Sequence, residues 1–100
     1  MRYLKTYEYM NNPQIGEYVI CDEGQKYGVM TEFMLFLQQN IGKIVDIDNN
    51  KYEVKYENIP DILRERFYKG RRLMEIHEIK HHSYNIEDLK AILSGNKYNL

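Results

Sequence analysis

One hundred residues, 43% hydrophobic and 29% charged with a net charge of -1, suffice for one compact domain and are too few for two. The near-neutral balance gives no global pull toward nucleic acid or an anionic membrane, and no apolar run approaches the ~20 residues of a membrane span. A Tyr- and charge-rich start, "MRYLKTYEYM", is unlike a signal peptide, and the single cysteine, Cys21, cannot form an internal disulfide, so the expected compartment is the cytoplasm and no membrane partner is expected.

In chain order, "RYLKTYEY" alternates Tyr3, Lys5, Tyr7 and Tyr9 with Leu4, Thr6 and Glu8, which suits a strand. Ile15 to Glu23, "IGEYVICDE", is β-rich at Tyr18 to Cys21, and the turn-prone "GQKYG" follows at Gly24 to Gly28. Thr31 caps a predicted helix in which Met30, Phe33, Met34, Phe36 and Leu37 are apolar at spacings of three and four, with Gly42 as its stop. Because Leu35 is apolar too, this helix is expected to pack in the core or plug an open sheet end; a docking helix is the other reading.

Ile41 to Pro60, "IGKIVDIDNNKYEVKYENIP", reads as a hairpin turning at Asn49-Asn50. A two-residue turn there sets Ile47 opposite Tyr52, Val45 opposite Val54 and Lys43 opposite Tyr56 on a core face. On the wet face, Asp48 meets Lys51, Asp46 meets Glu53 and Ile44 meets Lys55. Beyond Pro60, "DILRERFYKGRR" begins as a short helix or turn at Asp61 and breaks at Gly70, and Leu73 to Ile79 reads as a strand. Asn85, with Asp88 three residues on, opens a second helix that Gly95 is expected to stop.

The phrases "IGEYVIC", "IGKIVDI", "YEVKYENIP" and Glu78-Ile79 together resemble the Src-homology-3-like small barrels, and specifically short uncharacterised proteins of that type in phages and large DNA viruses. That resemblance covers Ile15 to Ile79 and implies an α+β fold: a small, strongly bent antiparallel β-barrel over about 15–80, an inserted helix, and a C-terminal helix over about 85–95, in one domain spanning 1–100. It also implies, for a viral chain, a host protein as partner. Ile41-Gly42-Lys43-Ile44-Val45 is similar to the KOW motif, whose glycine lets loop and strand approach RNA or protein, although Asp46 and Asp48 follow where KOW modules carry more basic residues.

Candidate chemistry is sparse. His77, His81 and His82 with Glu75 and Glu78 are the one potential metal cluster, but a structural zinc site needs four ligands and no remainder is supplied, so solvated imidazoles and no metal are expected. Cys21 with a histidine as base lacks an oxyanion donor, an orienting third residue and a family signature, and reads as a buried small hydrophobe; Asp22-Glu23 reads as a solvated turn. Gly24 and Gly28 lack the spacing of a phosphate loop, so neither a cofactor nor an enzymatic activity is expected.

Binding remains, with two candidate surfaces. Ten tyrosines are present, and Tyr3, Tyr7, Tyr9 and Tyr27 are the interface candidates, since Tyr52 and Tyr56 are committed to packing. Arg64 to His82 carries six Lys or Arg against three Glu, while Met1 to Leu63 carries six against ten. Within that basic stretch, Arg64, Arg66, Lys69, Arg71 and Arg72 surround Phe67 and Tyr68, a mixture that can clamp carboxylates or grip phosphates and stack on bases. The expected function is a non-catalytic protein-binding or adaptor module, self-association included; the alternative is an RNA- or DNA-binding module using Lys43 and the basic turn.

Overall fold

The computed structural model describes residues 12–24 and 31–98, with side chains in the last helix as far as Gly95. The expected amino-terminal strand, with Tyr3, Tyr7 and Tyr9, lies outside the described residues, as does Tyr27. The chain forms a small α+β domain: β1 (Tyr18–Cys21), α1 (Glu32–Gln39), β2 (Gly42–Asp48), β3 (Lys51–Lys55), a 3-10 turn (Asp61–Arg66), β4 (Arg71–Glu75), a second 3-10 turn (Ile76–Glu78), β5 (Ile79–Ser83) and α2 (Ile86–Tyr98). All five strands join one antiparallel sheet in the order β4-β3-β2-β1-β5. Its edges, β4 and β5, are not paired with each other among the described residues, so the sheet is not closed.

The hairpin turns where expected. Asn49 and Asn50 adopt φ of 51° and 65°, the left-handed pair that a type I′ turn requires and that Asn tolerates. Ile47 faces Tyr52 and Asp46 faces Glu53, but the register then slips, so Ile44 rather than Val45 lies opposite Val54, and Lys43 opposite Lys55 rather than Tyr56. Val45 is the extra residue of a β-bulge. The slip delivers Ile44, fully buried, to the core, and leaves Lys43 exposed on the outer face.

Gly42 is not a helix stop. The helix ends at Gln39, and Gly42 begins β2, paired with Val19. A Cβ at Gly42 would sit 2.4 Å from Val54 Cγ1 and 2.9 Å from Tyr56 Cζ, so the missing side chain is the space those two core residues occupy. Around it, the rings of Phe33, Phe36, Tyr56 and Phe67 pack edge to face or tilted, with centroids 5.5 to 5.8 Å apart. Helix α1 provides two of these rings. Its N-cap, Thr31 Oγ1, accepts from the Met34 amide at 3.2 Å, and Phe33, Met34, Phe36 and Leu37 are buried while Leu35 is exposed. Core packing, not docking, is therefore its role.

Leu73 to Ile79 is not one strand. Glu78 Oε1 accepts from the Glu75 amide at 2.8 Å, and the Glu75 side chain accepts in return from the Glu78 backbone, a reciprocal cap that folds Ile76–Glu78 into a 3-10 turn. The chain thereby leaves one edge of the sheet as β4 and returns at the other as β5. At the entry to α2, Asn85 Oδ1 accepts from the Glu87 amide at 3.0 Å, as a cap should, while Asp88 accepts from Ser83 Oγ at 2.7 Å. Gly95 does not end this helix, which runs on to Tyr98, because an interior glycine costs only about 1 kcal/mol and nothing there demands a left-handed residue.

Candidate functional site

The bulge at Val45 has a consequence on the solvent side. Ladder partners share a face, so Tyr18 of β1, Lys43 of β2, Lys55 of β3 and Arg71 of β4 form one straight row across the sheet. Lys43, Lys55 and Arg71 are exposed, and Tyr18 is half-buried with the Lys43 ammonium 5.5 Å from its ring centroid. Lys43 and Lys55 stand directly opposite each other as like charges, and neither has a carboxylate partner among the described residues. Such a pair is destabilising unless an anion lies over it. Arg71 donates from Nη1 to Glu53 Oε2 at 2.7 Å, which neutralises its charge.

The row continues into the turn ahead of β4. Lys69 (φ 53°) and Gly70 (φ 79°) are both left-handed, closing a tight turn in which Tyr68 and Arg71 exchange backbone hydrogen bonds at 2.7 and 2.9 Å. That geometry puts Lys69 and Tyr68 beside Lys55, Arg71 and Glu53 around a shallow hollow of about 320 Å³. Tyr68 is 75% exposed, and the Lys69 ammonium lies 5.4 Å from its ring centroid. At the other end, a cleft of about 460 Å³ opens between Tyr18, Val45, Ile86 and the two lysines, with Glu57 at its margin. Lys55 lines both hollows, so they form one surface.

The other arginines of the basic turn are tied down. Arg72 Nε and Nη2 donate to the two oxygens of Glu23 at 2.7 and 3.3 Å, Nη1 donates to the Arg66 carbonyl at 3.0 Å, and the guanidinium lies 4.6 Å from the centroid of Phe33. The Glu23 side chain is only 9% exposed, so it is not the solvated turn residue expected from sequence but one half of a clamp between the β1 exit and β4. Arg66 also lies over Phe33, at 5.3 Å, and Arg64 Nε pairs with Asp61 at 2.8 Å on the exposed surface. Of the five basic candidates, Lys69 and Arg71 thus belong to the outer row, while Arg64, Arg66 and Arg72 lie apart from it.

Two buried polar pairs complete the picture. Glu17, 6% exposed just before β1, accepts from the Gln14 amide at 2.7 Å through one oxygen, and its other oxygen lies 2.8 Å from His82 Nδ1. His82 is therefore a structural partner, not a solvated imidazole; its neighbour His81 on β5 is exposed, and His77 stands in the 3-10 turn rather than on a strand face shared with His81. Cys21 is fully buried, and desolvation, with lesser repulsion from Glu78, Glu23 and Asp22 opposed by a contact with Tyr56, pushes its thiol up to about 12. Burial likewise pushes the Tyr56 phenol far above its ordinary value. The Tyr56 hydroxyl has no hydrogen-bond partner of good geometry, the polar group nearest it being that thiol. Among the described residues, no three His, Cys, Asp or Glu side chains converge as metal ligands, and no helix is long and apolar enough to cross a membrane.

Sequence reasoning missed Lys55 as a site residue and misplaced Lys43, because strict alternation cannot register an inserted residue. The signal was present in the adjacent apolar pair Ile44-Val45, where an alternating strand would change polarity. Nothing local marks Glu17 and His82, which are 65 residues apart. Compared with protein-family models, curated proteins and solved structures, the chain matches none.

Proposed function

We propose that this chain is a non-catalytic binding module that holds an acidic partner against the outer face of its sheet. The observation that carries this reading is the row Lys43, Lys55 and Arg71, with two lysines opposed and uncompensated. A folded domain keeps such a pair at a cost in stability, and a negatively charged ligand reverses the sign of that term. Tyr18 and Tyr68 flank the row with aromatic surface suited to contact rather than to the core.

The architecture we assign is the small, strongly bent barrel of the Src-homology-3-like type. Its supports are β1, which stands between β2 and β5, the β2-β3-β4 meander, and the 3-10 corner that carries the chain from one edge to the other. A cytoplasmic setting is consistent with a free, buried thiol. Cys21, fully buried and with its thiol pushed up to about 12, is not an activated nucleophile, which favours a binding role over cysteine-based catalysis.

The test is capture from cell extract by the tagged domain, comparing the wild type with a Lys43→Ala/Lys55→Ala variant and with Lys51→Ala as a control outside the row. Partners held by the wild type and by Lys51→Ala but lost by the double variant are expected. An identical set from all three proteins would remove the outer row from any binding role.

A further inference from the structure

We infer that the partner of the outer face is single-stranded nucleic acid, an inference that rests on the reading of that face as the binding surface. Three features select this chemistry. The first is the spacing of charge. Neighbouring strands stand about 4.8 Å apart, so Lys43 and Lys55 place two cationic side chains side by side on the outer face, and a phosphodiester backbone brings a charge with every nucleotide to meet them. Lysine is also depleted in the cores of protein interfaces, where arginine and aromatic residues dominate, and the cations lining the two hollows without a carboxylate partner among the described residues are lysines: Lys43, Lys55 and Lys69.

The second feature is the pairing of each hollow with an aromatic ring. Tyr18 lines the larger cleft with Lys43, Lys55 and Glu57, and Tyr68 stands beside Lys55, Lys69 and the Arg71–Glu53 pair at the smaller one. Phosphate grips set next to exposed ring faces are what a chain with splayed bases requires, since every base has a face that stacks. The larger cleft, at about 460 Å³, has room for an unstacked base against Tyr18, Val45 and Ile86.

The third is shape, which decides between single strand and duplex. From β1 to β4 the row crosses three inter-strand spacings, about 14 Å before side chains are counted. A major groove about 12 Å wide admits a helix or a two-stranded ribbon, not a four-stranded face. Bases held in a duplex would in any case be closed to both hollows.

Fluorescence anisotropy tests the inference with four labelled probes: single strands of DNA and RNA of about 12 nucleotides, the matching DNA duplex, and poly-glutamate of comparable charge. Over about 20 to 200 mM salt, three lysine contacts give the single strands a log-log slope of about -2, and Lys55→Ala lessens that slope by about 0.7. Tyr68→Ala, at a site too exposed to affect folding, weakens single-strand binding about fivefold or more and leaves the slope unchanged. Poly-glutamate held through Lys55 with no single-strand binding would overturn the nucleic-acid assignment while sparing the binding face. Duplex bound as tightly as single strand, or an effect of Tyr68→Ala on slope rather than affinity, would overturn the single-strand assignment. If no probe binds, or Lys43→Ala and Lys55→Ala change nothing, the inference and the binding face both fail.

Discussion

Replacing Gly42 by alanine separates two effects of opposite sign. Glycine inside a strand ordinarily weakens it by about 0.5–1 kcal/mol, so on backbone grounds alone Gly42→Ala stabilises. The packing says otherwise. The new methyl carbon meets Val54 Cγ1 at 2.4 Å and the Tyr56 ring at 2.9 and 3.0 Å, where carbon atoms prefer about 3.5–4.0 Å. Neither neighbour can yield cheaply: Val54 is fully buried and stiff at its branched Cβ, and Tyr56 is held at 5.6 and 5.5 Å by the rings of Phe36 and Phe67. Overpacking of this kind costs about 2–3 kcal/mol net, which lowers Tm by about 10–20 °C and the urea midpoint by roughly 1–2 M without changing the m-value. Tyrosine fluorescence and far-UV circular dichroism report the transition, since the chain has ten Tyr and no Trp. An unchanged or raised midpoint would refute the account of why β2 begins with glycine.

Three further predictions concern groups that the structure pairs or isolates. Glu17→Ala removes the acceptor of the Gln14 amide and strands His82, for a loss of about 3 kcal/mol in denaturant unfolding; a loss below about 1 kcal/mol would mean that the pair is incidental. Two arginines of one basic turn should behave differently: Arg72→Ala leaves the Glu23 carboxylate buried without its partner and costs about 2–3 kcal/mol, while Arg64→Ala, at a pair open to solvent, stays within about 0.5 kcal/mol, and equal effects would contradict the clamp. The Cys21 thiol, raised from 9.0 to about 12 in the folded state, binds its proton more tightly there than in the unfolded chain, so stability is intact below pH 9 and falls between pH 9 and 12, by up to about 1.4 kcal/mol per pH unit for this group. Cys21→Ala should reduce that slope, most clearly between pH 9 and 10, below the range in which the buried Tyr56 phenol contributes, and a slope unaltered there by the substitution would assign it elsewhere.

What sequence made legible was local. Asn49-Asn50 carries its own positive-φ preference, Thr31 and Asn85 carry their own capping oxygens, and Phe33, Met34, Phe36 and Leu37 carry a helical period, so the turn, both helix starts and the buried helix face could be read directly. Failures came where a tertiary contact overruled a local rule. Gly42 looks like a helix stop but serves a packing need set by Val54 and Tyr56, and Glu75 and Glu78 look like strand residues until their reciprocal cap folds the corner. The bulge at Val45 inverted the facing of β2, moving Ile44 into the core and Lys43 out beside Lys55. On the site, the basic stretch was visible as composition, but not which cations were already partnered: Arg72 belongs to Glu23 and Arg71 to Glu53, Arg66 lies over Phe33, and the outer row's charge without a carboxylate lies on lysines from three separate segments.

Titration of the isotopically labelled protein with single-stranded oligonucleotide, followed through its amide resonances, shows residue by residue whether ligand is held on the outer face of β1 to β4. Shifts concentrated at Tyr18, Lys43, Lys55, Tyr68, Lys69 and Arg71, with Arg64 and His77 unmoved, are the predicted result. Shifts centred on Arg64, His77 or the exposed face of α2, with the row silent, would contradict it.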